Sequence, residues 1–143
     1  MPFVYYNVAA GDQIAEISER MAMAADMKVR ASSTAATGAY SSACRRGLPA
    51  ILMERGGGGR FTEEEVAEYK QDIRNIMITL GMIPGVEQHT EKQRNVTTAE
   101  YLEAETDGLW YPEKKPERHS GKGASGGSSQ YLGRTPERIP GTL

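Results

Sequence analysis

The chain has 143 residues, of which 38% are hydrophobic and 25% charged, and its formal net charge is −2. This length and composition predict a soluble chain with a buried core, and the small net charge gives no electrostatic basis for binding nucleic acid or a membrane surface. The single cysteine, Cys44, excludes an intrachain disulfide and is expected to be a buried, inert thiol. Neither a membrane-spanning apolar run nor a signal peptide is recognisable, so we expect a cytoplasmic protein.

Strand and helix patterns alternate in the first part of the chain. Aromatic and β-branched residues predict a strand over 3–8, and Asp12 is predicted to cap a helix that runs to about Met27. A short second strand is predicted at 29–33 and a short helix at 39–46. With the strand and helix that follow, this order predicts an α/β fold with a parallel or mixed sheet and helices on its faces.

A glutamate at the end of an apolar run, directly before a glycine-rich stretch, is the most informative feature. The run from Leu48 to Met53 is short and bounded by breakers, which predicts a strand buried on both faces. Glu54 would then lie at the rim of a central strand of the sheet, where open α/β folds bind their ligands. The glycines let the backbone turn sharply and keep side chains out of the space beside the carboxylate. They are Gly56, Gly57, Gly58 and Gly59. The alternative is a solvated glutamate in an ordinary strand-to-helix loop.

A long amphipathic helix is predicted after the glycines. Thr62 and Glu65 form a capping-box pattern at its start, and Gly81 marks its end. Asp72 and Arg74 lie off the apolar stripe of this helix and are predicted to face water. The stripe itself consists of Val66, Tyr69, Ile73, Ile76, Met77 and Leu80.

One segment resembles the C-terminal catalytic signature of the succinylglutamate desuccinylase and aspartoacylase family: GLPAILMERGGGGRFTEEEVAEYKQDIRNIMITLGMI at 47–83. Members of this family are zinc hydrolases of the wider zinc carboxypeptidase superfamily. The resemblance extends to PFVYYN at 2–7, AYSSACRRG at 39–47 and YLEAETDGLWYP at 101–112, so it covers most of residues 2–112. Its most specific part is the strand that ends in Glu54, together with the glycines that follow.

The resemblance implies hydrolysis of an N-acyl amino acid with Glu54 as the general base. The base takes a proton from the attacking water and later gives it to the leaving nitrogen, and the glycine loop leaves room for the acyl group. The family also uses zinc, held by an H-x-x-E pair and a later histidine that precede the region matched here. His89 and His119 do not begin such a pair and are expected to be surface residues. We therefore expect no metal ligands in this chain, although the family needs zinc.

The predicted organisation is that of an incomplete enzyme. Residues 1–98 are expected to form the C-terminal part of a catalytic domain, in which 85–98 is a polar connection. Residues 99–143 are expected to form the start of a β-rich domain and a flexible tail rich in glycine, serine and proline. Alone, such a chain is expected to be inactive and to need an upstream partner chain or a missing N-terminal half. Two alternatives stay open: a non-catalytic structural or interaction remnant, and a small-molecule binding module that uses the glycine loop.

Overall fold

A computed structural model describes residues 2–89, 92–98, 111–112 and 133–134. The chain divides into two compact units, Met1–Thr97 and Thr98–Leu143. The first unit contains β1 (Phe3–Asn7), α1 (Asp12–Ala24), β2 (Val29–Ser33), α2 (Ala39–Arg45), β3 (Ile51–Glu54), α3 (Glu63–Thr79) and β4 (Arg94–Val96). In the second unit, β5 (Tyr111–Pro112) pairs with β6 (Gly133–Arg134) in antiparallel orientation. The rest of the predicted β-rich start and flexible tail, as well as His119, lies outside the described residues.

The first unit is built on a mixed sheet of four strands in the order β3-β1-β2-β4. β1 pairs with β2 and β2 with β4 in parallel, whereas β3 pairs with β1 in antiparallel orientation. The prediction of an α/β fold with a parallel or mixed sheet is confirmed. β4 is a correction, because the polar stretch around it was predicted to be only a connection. Three residues without an apolar pattern give too little periodicity to indicate a strand.

Small residues of α1 bring this helix close to the sheet. Val4 and Tyr6 of β1 are buried, and they form one cluster with Ala22 of α1 and Ile76 of α3. The helix begins after Gly11 without a side-chain cap, so the predicted capping role of Asp12 is wrong. Among the described helices, none is long and apolar enough to cross a bilayer.

α2 carries the only cysteine. The Cys44 thiol is fully buried and donates a hydrogen bond to the Ala50 carbonyl oxygen over 3.3 Å. Burial was expected for this residue. The bond ties the end of α2 to the segment that leads into β3, and Ser18 of α1 accepts a hydrogen bond in the same place, from the Ala50 backbone N–H over 3.2 Å.

The third helix buries polar residues and exposes apolar ones. Its capping box is present as predicted, with Thr62 and Glu65 bonded reciprocally. However, Asp72 and Asn75 are completely buried, whereas Ile73 is 43% and Leu80 38% exposed. The prediction that Asp72 faces water is wrong. A helical pattern places polar residues outside by default, and burial of this carboxylate depends on tertiary partners that the pattern does not contain.

The buried side chain of Asn75 has hydrogen-bond partners for both its amide nitrogen and its carbonyl oxygen. Its side-chain amide donates to the backbone carbonyl oxygens of Ala24, over 3.1 Å, and Gln88, over 2.7 Å. Its carbonyl oxygen accepts from the Gln88 backbone N–H over 3.0 Å. Since a buried amide without partners would destabilise the fold, these bonds explain how α3 can turn a polar side toward α1.

Candidate functional site

Glu54 is the last residue of β3, which is an edge strand of the described sheet. The burial of β3 alternates: Ile51 and Met53 pack against the core, while Leu52 and Glu54 are exposed. A strand buried on both faces was predicted, and the alternating burial of β3 shows that this is wrong. A central position was also predicted, whereas β3 has only one neighbour among the described strands. A short apolar run gives no information about how many neighbours the strand has, because strand order depends on distant parts of the chain.

The reversed direction of β3 decides at which end of the sheet Glu54 lies. Glu54 pairs with Phe3 and Met53 with Val4, so the C-terminal end of β3 lies beside the start of β1. Residues directly opposite each other in an antiparallel pair share one face of the sheet. Glu54 therefore lies on the face opposite the core, next to Phe3, at the end of the sheet where the parallel strands β1 and β2 begin.

The residues on either side of Glu54 are held firmly. The Tyr69 hydroxyl donates to the Met53 carbonyl oxygen over 2.8 Å. The Arg55 side chain is 6% exposed. Its guanidinium lies 2.8 Å from the buried carboxylate of Asp72 and 2.6 Å from the half-exposed carboxylate of Glu68. The Glu54 carboxylate forms no hydrogen bond or ion pair with any described residue. A fixed backbone with a free carboxylate suits a group that must accept a proton from a bound molecule.

Arg55 and Asp72 are the residues of this region that the sequence analysis missed. Arg55 also donates to the Asp26 carbonyl oxygen over 3.0 Å, and Asp72 accepts from the Asp26 backbone N–H over 2.7 Å. Burial lowers the pKa of Arg55, but the hydrogen bond and the charge of Asp72 outweigh it, so the net shift is upward. Burial and the charge of Asp72 also raise the pKa of Tyr69, so its hydroxyl stays protonated, and able to donate, to a higher pH than an exposed tyrosine.

The four glycines form a tight turn. The Arg60 backbone N–H donates to the Gly57 carbonyl oxygen over 3.2 Å, and the two residues between them, Gly58 and Gly59, have φ values of +62° and +69°. Positive φ at both central positions is the mark of a type I′ turn, which glycine adopts without strain. Gly56 has a φ of +76°, whereas Gly57 has no positive φ. Backbone conformation thus accounts for three of the four glycines, and their role beside a substrate stays a prediction.

Gly56→Ala is expected to lower the free energy of unfolding by about 1–2 kcal/mol or more, because a left-handed conformation disfavours a side chain by that amount. The added Cβ would also lie 3.0 Å from the Arg60 backbone carbonyl oxygen. The matched control is Gly57→Ala, whose Cβ would meet nothing within 4 Å, and we expect a change of no more than about 0.5 kcal/mol. Urea denaturation of the full chain measures both variants, and equal values would contradict this account of the turn.

A groove lies between the glycine turn and α3, with a volume of about 480 Å³. Glu54 is not among the residues that line it, although the glycines were predicted to leave space beside its carboxylate. The main lining residues are Gly56, Arg60 and Phe61 on one side and Val66, Tyr69 and Ile73 on the other. Of the predicted loop residues, the groove therefore contains only Gly56.

The described residues do not fit a zinc ion. Within 2–89 and 92–98, no group of three or more His, Cys, Asp or Glu side chains is placed to hold a metal. His89 has its Nε2 atom 3.1 Å from Glu87 and its Nδ1 atom 4.0 Å from Asp26. The two carboxylates lie beside different nitrogens of the ring. They and a single imidazole nitrogen therefore cannot bind the same metal ion. Hydrogen bonds with Thr79 and with His89 lower the pKa of Glu87, which fits a structural role for this carboxylate.

Comparison with solved structures finds similar folds. The ectoine utilization protein EutE (DoeB) from Ruegeria pomeroyi matches with a TM-score of 0.68 and 21% identity, over 80% of this chain and 36% of that one. A succinylglutamate desuccinylase/aspartoacylase from Rhodobacter sphaeroides matches with a TM-score of 0.62 and 24% identity, over 79% of this chain and 36% of that one. A succinylglutamate desuccinylase from Silicibacter sp. TM1040 matches with a TM-score of 0.61 and 24% identity, over 80% of this chain and 36% of that one. The chain has the fold of these proteins.

This fold confirms, at the level of architecture, the resemblance to the succinylglutamate desuccinylase and aspartoacylase family. The chain matches 36% of the length of each of these structures, so it corresponds to a part of their fold. No protein-family model and no curated protein matches the chain. Its likeness to these proteins is therefore one of structure.

Proposed function

We propose that this chain supplies the general base, Glu54, of a hydrolase that cleaves N-acyl amino acids. The observation that carries the proposal is the exposed carboxylate of Glu54, which has no partner among the described residues and lies on a strand end held through its neighbours Met53 and Arg55. This residue lies in the segment with the most specific resemblance to succinylglutamate desuccinylases and aspartoacylases. Two solved structures with this fold bear those names, which supports an amide of an N-acyl amino acid as the substrate class.

In the proposed reaction, Glu54 accepts a proton from water as the water oxygen adds to the amide carbonyl carbon. The protonated carboxyl then gives this proton to the amide nitrogen as the carbon–nitrogen bond breaks. The products are a carboxylic acid and a free amino acid. Tyr69 and Arg55 act at a distance from this chemistry, because each fixes the backbone beside Glu54 and leaves the carboxylate free.

The chain is proposed to be inactive by itself. The zinc used by the family does not fit the described residues, so its ligands would come from an upstream partner chain or an N-terminal half. We place the complete enzyme in the cytoplasm. A non-catalytic interaction role is the second candidate, and it is favoured by the apolar residues that α3 leaves exposed.

Hydrolysis assays test the proposal directly. The purified chain, with or without added zinc, is expected to release no amino acid from N-succinylglutamate or an N-acylaspartate. A fusion with the part of the Rhodobacter sphaeroides protein that this chain does not match is expected to hydrolyse one of them. A folded but inactive fusion would favour the interaction role. Activity of the chain alone would show that it is a complete enzyme.

A further inference from the structure

We propose that Arg94 determines substrate specificity by binding a carboxylate of the substrate other than the α-carboxylate that every N-acyl amino acid carries. Arg94 is one of four residues that form a row across the sheet, which we call the cross-sheet row: Glu54, Phe3, Val29 and Arg94. The inference rests on the proposed function, because it identifies which N-acyl amino acids Glu54 would act on. Its evidence is the strand register, the face on which the row lies and the charges at its two ends.

The strand register places the four residues of the cross-sheet row side by side. Phe3 of β1 pairs with Glu54 of β3 on one side and with Val29 of β2 on the other. Val29 in turn pairs with Arg94 of β4. Neighbouring strands lie about 4.8 Å apart, so three such steps separate the Cα atoms of Glu54 and Arg94 by roughly 14 Å. Two long side chains at this separation can reach the two ends of one small molecule.

The cross-sheet row lies on the face of the sheet away from α1 and α3. Tyr6 belongs to the core cluster that these two helices share with β1, and its hydroxyl donates to the Asn95 side-chain carbonyl oxygen over 3.4 Å. Asn95 therefore marks the helix-covered side of β4. Since successive residues of a strand point to opposite faces, Arg94 lies on the other side. Paired residues of neighbouring strands share a face, so the rest of the row lies there too.

The two ends of the cross-sheet row carry opposite charges that have no partner among the described residues. The exposed Arg94 side chain forms no hydrogen bond or ion pair with them, as is also true of Glu54. The Arg94 backbone N–H donates to the Lys28 carbonyl oxygen over 2.9 Å, so the backbone of this residue is fixed. A guanidinium binds a carboxylate through two parallel hydrogen bonds. Arg94 is thus able to bind a carboxylate of a ligand.

Apolar side chains occupy the middle of the cross-sheet row. Phe3 and Val29 are half-buried, and the Phe3 ring meets the Tyr5 ring edge-to-face at a centroid distance of 5.2 Å. Methylene groups bind favourably to such a surface, whereas a charged group would lose contact with water there without gaining a partner. The row therefore fits a molecule that places an amide at Glu54, a short hydrocarbon segment over Phe3 and Val29, and a carboxylate at Arg94.

Two parts of an N-acyl amino acid can supply this hydrocarbon segment and its carboxylate. One is a dicarboxylic acyl group such as succinyl, and the other is the side chain of an acidic amino acid such as glutamate. Both present the same chemistry to Arg94, namely a carboxylate that methylene groups separate from the amide to be cleaved. The substrate class assigned to the chain is therefore an N-acyl amino acid with a carboxylate beyond the α-carboxylate.

Calorimetric titration tests the role of Arg94 and distinguishes the two sources. The protein is the fusion with the part of the Rhodobacter sphaeroides protein that this chain does not match, carrying Glu54→Gln to slow hydrolysis. Its ligands are N-succinylalanine, N-acetylglutamate and N-acetylalanine, the last of which has only the α-carboxylate. Arg94→Gln is expected to raise the Kd of N-succinylalanine or of N-acetylglutamate about tenfold relative to that of N-acetylalanine, because it removes a charge-assisted hydrogen bond. The ligand that is affected identifies the source of the carboxylate.

Two further variants accompany Arg94→Gln. Arg94→Lys keeps the charge but loses the planar pair of hydrogen bonds, so the relative Kd is expected to lie between those of the unaltered residue and the glutamine variant. Arg74→Gln is the matched control. Arg74 is an exposed arginine on α3, which packs against the other face of the sheet, and its replacement is expected to leave the relative Kd values unchanged.

Each outcome decides the inference. Relative Kd values that neither Arg94 variant changes would overturn it, as would a fusion that binds none of the three ligands. A fusion that binds a ligand through Arg94 but hydrolyses nothing when Glu54 is present would sustain the carboxylate site and refute the proposed function. A fusion that hydrolyses the ligands with the same relative KM values whether or not Arg94 is replaced would sustain the proposed function and refute the site.

Discussion

Glu54→Gln is expected to lower the rate of amide hydrolysis by the fusion about 10²–10⁴-fold, which is the usual effect of removing a general base. Glutamine has nearly the same shape but cannot take the proton of the attacking water. Because the Glu54 carboxylate forms no hydrogen bond or ion pair with the described residues, the substitution should not disturb the fold. Steady-state kinetics of the fusion, with circular dichroism as a test of folding, give the result.

The matched control for this variant is Glu64→Gln. Glu64 is an exposed glutamate in the first turn of α3, and its replacement makes the same chemical change away from the end of β3. We expect the control to keep its rate. If Glu54→Gln hydrolyses the substrate as fast as the unaltered fusion, Glu54 is not the base and the proposed role is wrong.

Asp72→Ala is expected to lower the free energy of unfolding of the chain by about 3–5 kcal/mol, the usual cost of removing one partner of a buried ion pair. The Arg55 side chain is 6% exposed and Asp72 is completely buried, so the variant leaves a guanidinium with little access to water. It also removes the acceptor for the Asp26 backbone N–H. A typical domain is stable by about 5–15 kcal/mol, so this loss would be a large fraction of the total.

Glu68→Ala is the matched control, since Glu68 binds the same guanidinium but is 48% exposed. An exposed partner of this kind contributes about 0–1 kcal/mol. Urea denaturation with a common slope for all variants measures both changes. A loss below about 1 kcal/mol for Asp72→Ala, or equal losses for the two variants, would show that the buried pair does not fix Arg55 as described.

Local patterns predicted the elements of this fold well. The capping box at Thr62 and Glu65 and the end of α3 near Gly81 depend on residues close together in the chain, and both are present. The same holds for the strand that ends at Glu54. Each of these features is determined by neighbours within a few residues, which is the range over which a sequence pattern carries information.

Features that depend on distant residues were missed. Arg55 meets Asp72 17 residues later, and neither the pair nor its burial follows from a periodicity in which both positions count as polar. The edge position of β3 was missed for the same reason, because β1, its only described neighbour, lies far upstream. The exposed side of α3 has a further cause: the apolar stripe was predicted correctly as a pattern, but the described residues do not supply what would cover all of it.

The antiparallel direction of β3 has a consequence for which parts of the chain can change. Glu54 lies where β1 and β2 begin, whereas the loops that follow those strands lie at the other end of the sheet. Five residues of extended strand separate the two ends by roughly 16 Å. Exposed loop positions such as 36–38 can therefore gain or lose residues without moving the carboxylate. The reversed direction of β3 thus separates the loops that can vary in length from the position of Glu54.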